Sequence, residues 1–305
     1  ENILKWYDGY VFDGKTPFNE TSLGKVTRVL NPFSIVNFFF KKSFSEYWLR
    51  SGPPTFLSKL IAKNPDSFIF KDPPKCSEES LISFVPSSVS PIPLLFQTGY
   101  LTLNGVSWAD NNEAQYSLKI PNMEVDRGYP KAFYQAYFGD ADINELLSQG
   151  QRFKAAVLNR DSSAIENILE ASLAKISFDQ HFSSEKFYNA IFQAIINTLG
   201  INVRSQVASS LGKSDLELLF SNGVHVIIEI KFEQEPKYSP ELSIEKKREK
   251  ALSLAQKGLE QIATKEYSKQ YILEAKEIIE MGLGVYGRSK VGVKLKDRMV
   301  ARDHN

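Results

Sequence analysis

The sequence contains a single cysteine, Cys76, in 305 residues. No internal disulfide can form, and no Cys or His stands near Cys76 at metal-ligand spacing, so a disulfide scaffold and a thiolate zinc cage are both excluded. Histidine is almost as scarce, with His181, His225 and His304 scattered along the chain. No apolar run reaches the roughly 18 residues a membrane-spanning helix needs, and Asn31–Phe40 is both interrupted and short. A basic, apolar, small-residue leader is missing from the start. Excess charge is missing too: 37 Lys and Arg against 36 Asp and Glu leave +1, which does not advertise a nucleic-acid binder. A phosphate loop of the form Gly-x-x-x-x-Gly-Lys-Ser/Thr does not occur; Leu23-Gly24-Lys25-Val26 lacks both the first Gly and the hydroxyl residue. These absences point to an intracellular, cytoplasmic protein without a membrane segment or its own nucleotide hydrolysis. The first residue is Glu1 rather than Met, so the chain reads as a piece of a longer protein.

What is present suits a globular protein. Hydrophobic residues make up 42% and charged residues 24%, enough to bury one large core or two ordinary ones. Residues 1–135 are rich in aromatics, Pro and Gly, with Phe38-Phe39-Phe40, Tyr47-Trp48 and Phe56-Leu57 expected to face a core from short helices. Leu94–Leu103 and Gln115–Ile120 read as strands around the polar turn Ala109–Glu113. Residues 136–305 change texture. Helical patterns cover Ile143–Leu147, Ala155–Val157 and Ile165–Leu173, with Asp161 and Ser162-Ser163 as cap candidates. Ser183-Ser184-Glu185 opens a stronger helix that stops at Gly200. Strands are expected at Asn202–Ala208, Ser214–Phe220 and Val224–Phe232. A charged segment, Glu233–Lys250, then leads into a helix with Leu252, Ala255, Leu259, Ile262 and Ala263 on one face. Glu277–Lys296 reads as strand, turn at Gly287, strand. The predicted fold class is α/β or mixed α+β, a central mixed sheet flanked by helices.

The chemistry concentrates in one predicted hairpin. Leu216, Leu218 and Phe220 alternate on the first arm, and Val226, Ile228, Ile230 and Phe232 on the second. Asp215, Glu217, Glu229 and Lys231 occupy the opposite face. A two-residue Asn222-Gly223 turn would pair Asp215 with Ile230 and mix charge with core. A three-residue Ser221-Asn222-Gly223 loop pairs Phe220 with Val224, Leu216 with Ile228 and Leu218 with Val226, and sets Asp215 opposite Glu229. Only this register keeps the apolar face whole. Two carboxylates side by side repel unless something compensates, and a divalent cation is the natural compensation. A bound Mg²⁺ or Mn²⁺ would polarise a phosphodiester and acidify a water, with Lys231 beside it to orient the attack or offset negative charge. The alternative, on the pairing alone, is a solvated sheet face on which Lys231 balances the acids.

Gly212-x-x-Asp215, a hairpin, then Glu229-Ile-Lys231 resembles the PD-(D/E)xK phosphodiesterase core. The stretch Ala255-Gln-Lys-Gly-Leu259-Glu-Gln261-Ile262, continuing to Tyr267, is similar to the fourth-motif helix of one branch, the C-terminal domain of bacterial AAA-ATPase-like proteins. Tyr7-Asp-Gly-Tyr-x-Phe12, Asn31-Pro-Phe-Ser-Ile35, Tyr47-Trp48, Gln97-Thr-Gly-Tyr-Leu-Thr102 and Ile120-Pro-Asn-x-Glu-Val125 look like the segment that joins ATPase core and nuclease domain in that branch. The resemblance implies that residues 1–135 are the C-terminal part of an ATPase-like region, whose remainder would lie in cis beyond this chain, and that residues 136–305 are the nuclease-like domain. It implies Asp215 and Glu229 as metal ligands, Lys231 as catalytic lysine, Gln261 as the fourth-motif glutamine and Glu185 as the helix acid completing the metal site. A first-turn helix role competes for Glu185. The implied activity is Mg²⁺- or Mn²⁺-dependent cleavage of nucleic acid, DNA by expectation. The alternative is a nuclease-fold module that binds a protein or nucleic-acid partner without cutting. Three departures from the branch pattern bear on the substrate path more than on the metal: Asn189 where His is common, Gly258 where Ala is usual, and a longer, more charged link after Phe232.

Other signals carry less. Ser172-Leu-Ala-Lys175 has Ser-x-x-Lys spacing inside an ordinary amphipathic pattern. His225 falls just after the predicted loop on the same face as Glu229, with surface exposure the stronger expectation and a substrate contact the alternative. Trp6, Tyr7, Tyr10 and Phe12 could stack on bases, but packing is the stronger expectation for rings among Gly and Pro. Arg288, Lys290, Lys294, Lys296, Arg298 and Arg302 could neutralise phosphates or simply line a solvated strand.

Overall fold

The structure is a computed structural model and describes residues 2–12, 28–51, 55–63, 65–68, 74–82, 91–109, 111–139, 143–177, 184–236 and 242–298. The chain divides into two compact units, Glu1–Ala132 and Phe133–Asn305. Leu23–Val26, His181, Ser183, Arg302 and His304 lie outside the described residues, as does the Phe56 side chain.

In the first unit, helices α1 (Asn2–Tyr7), α2 (Pro32–Lys41), α3 (Tyr47–Ser51), α4 (Thr55–Lys63), α5 (Glu78–Ile82) and α6 (Ile92–Gln97) accompany an antiparallel sheet of order β1-β3-β2. Its strands are β1 (Lys75–Ser77), β2 (Thr102–Trp108) and β3 (Ala114–Lys119). Trp6, Tyr7 and Tyr47 form the core beneath α2. Of three consecutive aromatics on a helix only one can point at that core, because successive side chains diverge by about 100°. Phe38 takes the position, while Phe39 and Phe40 are exposed, against the expectation for the triplet. The expected strand Leu94–Leu103 is also corrected. Its first half is α6, where Ile92-Pro93 occupies the opening helical positions. Gly99 at φ +79° then turns the chain into β2. Trp6 and Tyr7 are buried, whereas Phe12 is exposed. The helix α7 (Met123–Phe138) contains the boundary between the units.

The second unit begins with α8 (Ile143–Leu158), α9 (Ser162–Leu173) and α10 (Glu185–Thr198). Asp161 caps α9 by accepting the Ala164 N–H, and Ser184 caps α10 by accepting that of Phe187. A five-stranded sheet follows in the order β4 (Asn202–Ser209), β5 (Gly212–Leu219), β6 (Val224–Glu233), β7 (Glu277–Tyr286) and β8 (Lys290–Arg298). All neighbours are antiparallel except β6 and β7, whose parallel pairing needs a crossover, supplied by α11 (Ile244–Thr264). The fold is therefore mixed α+β, with a central five-stranded mixed sheet flanked by helices.

The hairpin register is the one the apolar alternation demands: Leu216 opposes Ile228 and Leu218 opposes Val226. Phe220 N–H donates to the Val224 carbonyl, and Gly223 at φ +87° closes the three-residue loop. The buried face of α11 differs from expectation. Ala251, Leu254, Ala255, Gly258 and Ile262 are buried, while Leu252 and Leu259 are half-buried and Ala263 is exposed. Glycines on β7 explain the rotation. A Cβ on Gly282 would fall 1.9 Å from the Ala255 carbonyl oxygen, so helix backbone lies directly on strand backbone and only small residues fit between.

The described part of the charged link has structure of its own, residues 237–241 lying outside the described residues. Helix α11 already starts at Ile244, capped by Ser243, so Glu245–Lys250 is helical. Lys250 pairs with Glu233, Lys247 with Glu235 and Arg248 with Glu166. On the outer strand β8, two carboxylates one turn apart on α9 complete the strand's hydrogen bonds: Glu170 accepts the Val291 N–H and Glu166 that of Val293. A strand edge covered in this way has no free rung for another chain to pair with at those two positions. Ser172 donates back to the Ile168 carbonyl and Lys175 pairs with Glu145, so the Ser-x-x-Lys spacing is structural.

Candidate active site

Asp215, Glu229 and Lys231 come together where β5 and β6 separate, joined by Glu185 from α10 and Gln261 from α11. The β5–β6 ladder stops at Leu216–Ile228, and Asp215 fails to pair on the β4 side as well, where the partners are Ser205–Leu216 and Val207–Ser214. The Asp215 carboxylate replaces what its backbone gives up. Its Oδ2 accepts the Ile230 N–H at 3.0 Å, and its Oδ1 accepts the Asn189 amide at 2.7 Å and the Gln206 amide at 3.2 Å. Three donors thus fix a carboxylate that is only 4% exposed. A solvated sheet face, the alternative from pairing alone, is ruled out.

Glu229 is 2% exposed. Its Oε1 accepts from Lys231 Nζ at 3.0 Å and from the Gln261 amide, while its Oε2 is buried without a hydrogen-bond partner among the described residues. Burial, then the neighbouring Asp215 charge, pushes the Glu229 carboxyl up to about 8 against the opposing pull of Lys231. Lys231 also lies 3.7 Å from a Glu185 oxygen. Burial works against its ammonium, but Glu229 and Glu185 outweigh it and hold the lysine above its ordinary value. Glu185 stands in the first turn of α10, where Ser184 already supplies the cap hydrogen bond, so its carboxylate is available to Lys231.

Gln261 reaches Glu229 from α11 because the helix lies so close to β6. A Cβ on Gly258 would come within 2.8 Å of the Glu229 carbonyl oxygen and 3.2 Å of Gly282 Cα. The glycine that departs from the branch pattern is therefore what this spacing requires. The Gln261 amide is also 3.4 Å from the hydroxyl of Tyr267 on the following 3₁₀ helix, Tyr267–Tyr271.

Sequence reasoning missed Asn189 and Gln206 as partners of Asp215, and Tyr267 as a neighbour of Gln261. Asn189 stood out in the sequence only as a departure from the branch pattern expected to bear on the substrate path, whereas the structure sets it on Asp215 itself. Glu217, on the same face as Asp215, belongs to a separate buried group. It accepts from Tyr271 at 2.6 Å and Ser214 at 2.9 Å, and His225 Nε2 lies 3.3 Å away. His225 is buried against the Tyr271 ring rather than exposed. Along the basic C-terminal strand, Lys290 pairs with Glu170 and Arg298 lies 3.9 Å from Glu280, while Lys294 and Lys296 are exposed.

Two carboxylates, one with an unpartnered buried oxygen, suit Mg²⁺ or Mn²⁺, which keep several waters and share their remaining positions with phosphate. Among the described residues no group of three or more His, Cys, Asp or Glu is arranged to hold a metal, so a closed all-protein cage is not what the site offers.

No solved structure matches the chain. The chain is 27% identical over 231 residues to an uncharacterized protein in the vnfD 5′ region of Azotobacter chroococcum mcd 1. The match covers 74% of this chain, hence residues of both units, and 42% of that protein's length. A family model described as PD-(D/E)XK nuclease superfamily matches residues 183–294, the segment that carries Glu185, Asp215, Glu229, Lys231 and Gln261, so the second unit contains a PD-(D/E)XK nuclease superfamily domain.

Proposed function

We propose that the chain is a divalent-metal-dependent phosphodiesterase that cuts nucleic acid, with DNA as the expected substrate. The observation that carries this reading is Glu229: a buried carboxylate with one unpartnered oxygen, pushed up to about 8 beside a second carboxylate. A cation placed there replaces a proton. Asp215 and Glu229 would hold Mg²⁺ or Mn²⁺, with Glu185 able to contribute through water. The metal when bound would polarise a phosphodiester oxygen and lower the pKa of a water. The protein's part is positional. The three donors on Asp215 fix one ligand's orientation. Gln261 and Lys231 fix the other, and Lys231 presents its ammonium where a phosphate's negative charge would develop. With Glu229 protonated, Asp215 and Glu185 still outnumber the one lysine, so the bare site repels phosphate and substrate binding should itself require the metal.

One observation favours a second reading, a nuclease-fold module that binds a protein or nucleic acid without cutting. The ammonium of Lys231 bridges Glu229 and Glu185, leaving the site internally paired as it stands. The chain spans 42% of the relative's length, and the N-terminal phrases resemble an ATPase-linked segment. We therefore place this activity within a longer, ATPase-linked protein. Among the described residues no helix is long and apolar enough to cross a membrane.

The test is cleavage of linear and circular, single- and double-stranded DNA and RNA with Mn²⁺, Mg²⁺ or chelator, using wild type, Glu229→Ala and Lys231→Ala. Metal-dependent cutting lost in both variants supports the enzyme. Absence of both cutting and Mn²⁺ binding in wild type leaves the binding module.

A further inference from the structure

Five residues other than glycine have positive φ among the described residues: Lys42, Asn112, Arg160, Gln206 and Glu266. Four of them sit at turns or helix ends, where left-handed backbone is ordinary. Gln206, at φ +51°, is in the middle of strand β4. A β-strand does not ask for this conformation, and a long side chain pays for it sterically. The pairs Ser205–Leu216 and Val207–Ser214 bracket the place and leave Gln206 opposite Asp215, at the single rung that the β4–β5 ladder omits. The side chain explains what the backbone gives up. Its amide donates to Asp215 Oδ1, the oxygen that Asn189 also holds from α10.

Resting on the metal-site reading above, we infer that Gln206 is a positioning residue. Its left-handed backbone is maintained so that its amide, with that of Asn189, sets the orientation of the Asp215 carboxylate for the cation. The two amides come from an outer strand and a helix and meet on one oxygen. Oδ2, whose single donor among the described residues is the Ile230 N–H, keeps an open lone pair for a cation. Strain kept at one residue beside a reactive group and nowhere else in the strands is the pattern expected when geometry is being held for function. Partners of metal ligands typically change metal affinity by tenfold or more when removed.

The 305-residue chain, wild type and with Gln206→Gly, Gln206→Ala or Gln206→Asn, is titrated with Mn²⁺ alone, and each variant's Tm is measured. Glycine adopts the left-handed backbone freely but has no amide. The Gln206→Gly variant is expected to match or exceed the wild-type Tm while its Mn²⁺ midpoint weakens by about tenfold. Gln206→Ala, strained and without the amide, falls in both measurements. Gln206→Asn tolerates the backbone and restores an amide one methylene shorter, so its midpoint lies between wild type and Gln206→Gly. As a spectroscopic check, Mn²⁺ should broaden the ¹⁵N side-chain amide resonance of Gln206 at substoichiometric metal. A Gln206→Gly variant with unchanged Mn²⁺ midpoint overturns the inference and makes Gln206 a strand-twisting device. A wild type that binds no Mn²⁺ overturns the metal-site reading along with it.

Discussion

The Asp215 carboxylate accepts the Ile230 backbone N–H at the point where the β5–β6 ladder stops, from the residue before Leu216 to the second residue after its partner Ile228. A side chain thus finishes a rung that two backbones would otherwise share. The ladder can therefore end there without orphaning the buried Ile230 N–H. The same residue therefore serves the sheet and the site, and its variants should separate the two roles.

Asp215→Ala strands the Ile230 N–H and takes the common partner from Asn189 and Gln206. The expected loss is about 1–3 kcal/mol of stability, the cost of an unsatisfied buried donor. Asp215→Asn keeps one oxygen for Ile230, and the Asn189 and Gln206 amides can turn to present their own oxygens to the new NH₂. Its urea midpoint should stay near wild type while Mn²⁺ binding disappears. Retention of Mn²⁺ binding by Asp215→Asn would remove Asp215 from the ligand set.

Glu229 predicts a pH dependence whose sign follows from its raised pKa. The unfolded carboxyl titrates near the ordinary 4.5 and the folded one near 8. Between these values the native state holds a proton that the unfolded chain has released. Stability therefore falls as pH rises from about 4.5 to 8 and then levels, by up to a few kcal/mol. Glu229→Gln, neutral at every pH and able to keep an acceptor toward Lys231 and Gln261, should abolish that slope. Millimolar Mg²⁺ should raise the wild-type Tm at pH 8 more than at pH 5 and leave Glu229→Gln unmoved. A flat wild-type profile between pH 4.5 and 8 would contradict the burial of an unneutralised Glu229.

Most of this arrangement was legible where one face of a strand carries apolar residues and the other polar ones, although both faces of β5 and β6 are buried. The β5–β6 register followed from alternation and loop parity, because a one-residue slip would have carried Asp215 and Glu229 onto the apolar face. The Ser184 and Asp161 caps and the Gly200 stop were likewise local, each decided within a single turn of chain. The failures share a cause. Phe39 and Phe40 stay exposed, and α11 turns Ala251 and Gly258 inward instead of Leu252 and Ala263. In both, the choice of face depends on what the partner surface offers, here a glycine at 282 that no pattern within α11 announces. The roles of Gln206 and Asn189 toward Asp215 were invisible for a related reason. An amide that serves a carboxylate across 26 or 9 residues leaves no periodic trace.

Gly258→Ala tests the helix–strand spacing directly. The new methyl would sit 2.8 Å from the Glu229 carbonyl oxygen and 3.2 Å from Gly282 Cα, and both are backbone atoms that cannot rotate away. The helix must shift outward, for an expected cost of about 1–3 kcal/mol despite alanine's better helix propensity. Gln261 moves with it. The ¹⁵N side-chain resonance of Gln261 should therefore shift, and metal-dependent cleavage should drop more than tenfold at a temperature where the variant remains folded. A variant as stable and active as wild type would mean that β6 and β7 yield to the helix, and that the close approach carries no requirement for glycine.

The group around Glu217 gives the opposite expectation, a structural effect that spares the metal. Glu217 is fully buried and holds Tyr271 at 2.6 Å, while Ser268, three residues earlier on the same 3₁₀ helix, donates to the buried Glu280 on β7 at 2.6 Å. Two carboxylates on strands flanking β6 thus pin one short helix at two points. Burial, followed by the Glu217 hydrogen bond and charge, holds the Tyr271 phenol above its ordinary value, so it remains a donor throughout the stable pH range. Tyr271→Phe removes a hydrogen bond to a charged acceptor and should cost about 1.5–3 kcal/mol. A double-mutant cycle with Glu217→Gln should show coupling of the same order, since Ser214 and His225 still contact residue 217 in either background. Tyr267 stands at the far end of this helix beside Gln261, so the cycle also asks whether the tether reaches the metal site. An unchanged Mn²⁺ midpoint in Tyr271→Phe would show that Tyr267 is held by its own packing among Ile227, Ile262 and Ile278. A midpoint that weakens in step with stability would instead make Glu217 part of the scaffold that sets Gln261 against Glu229.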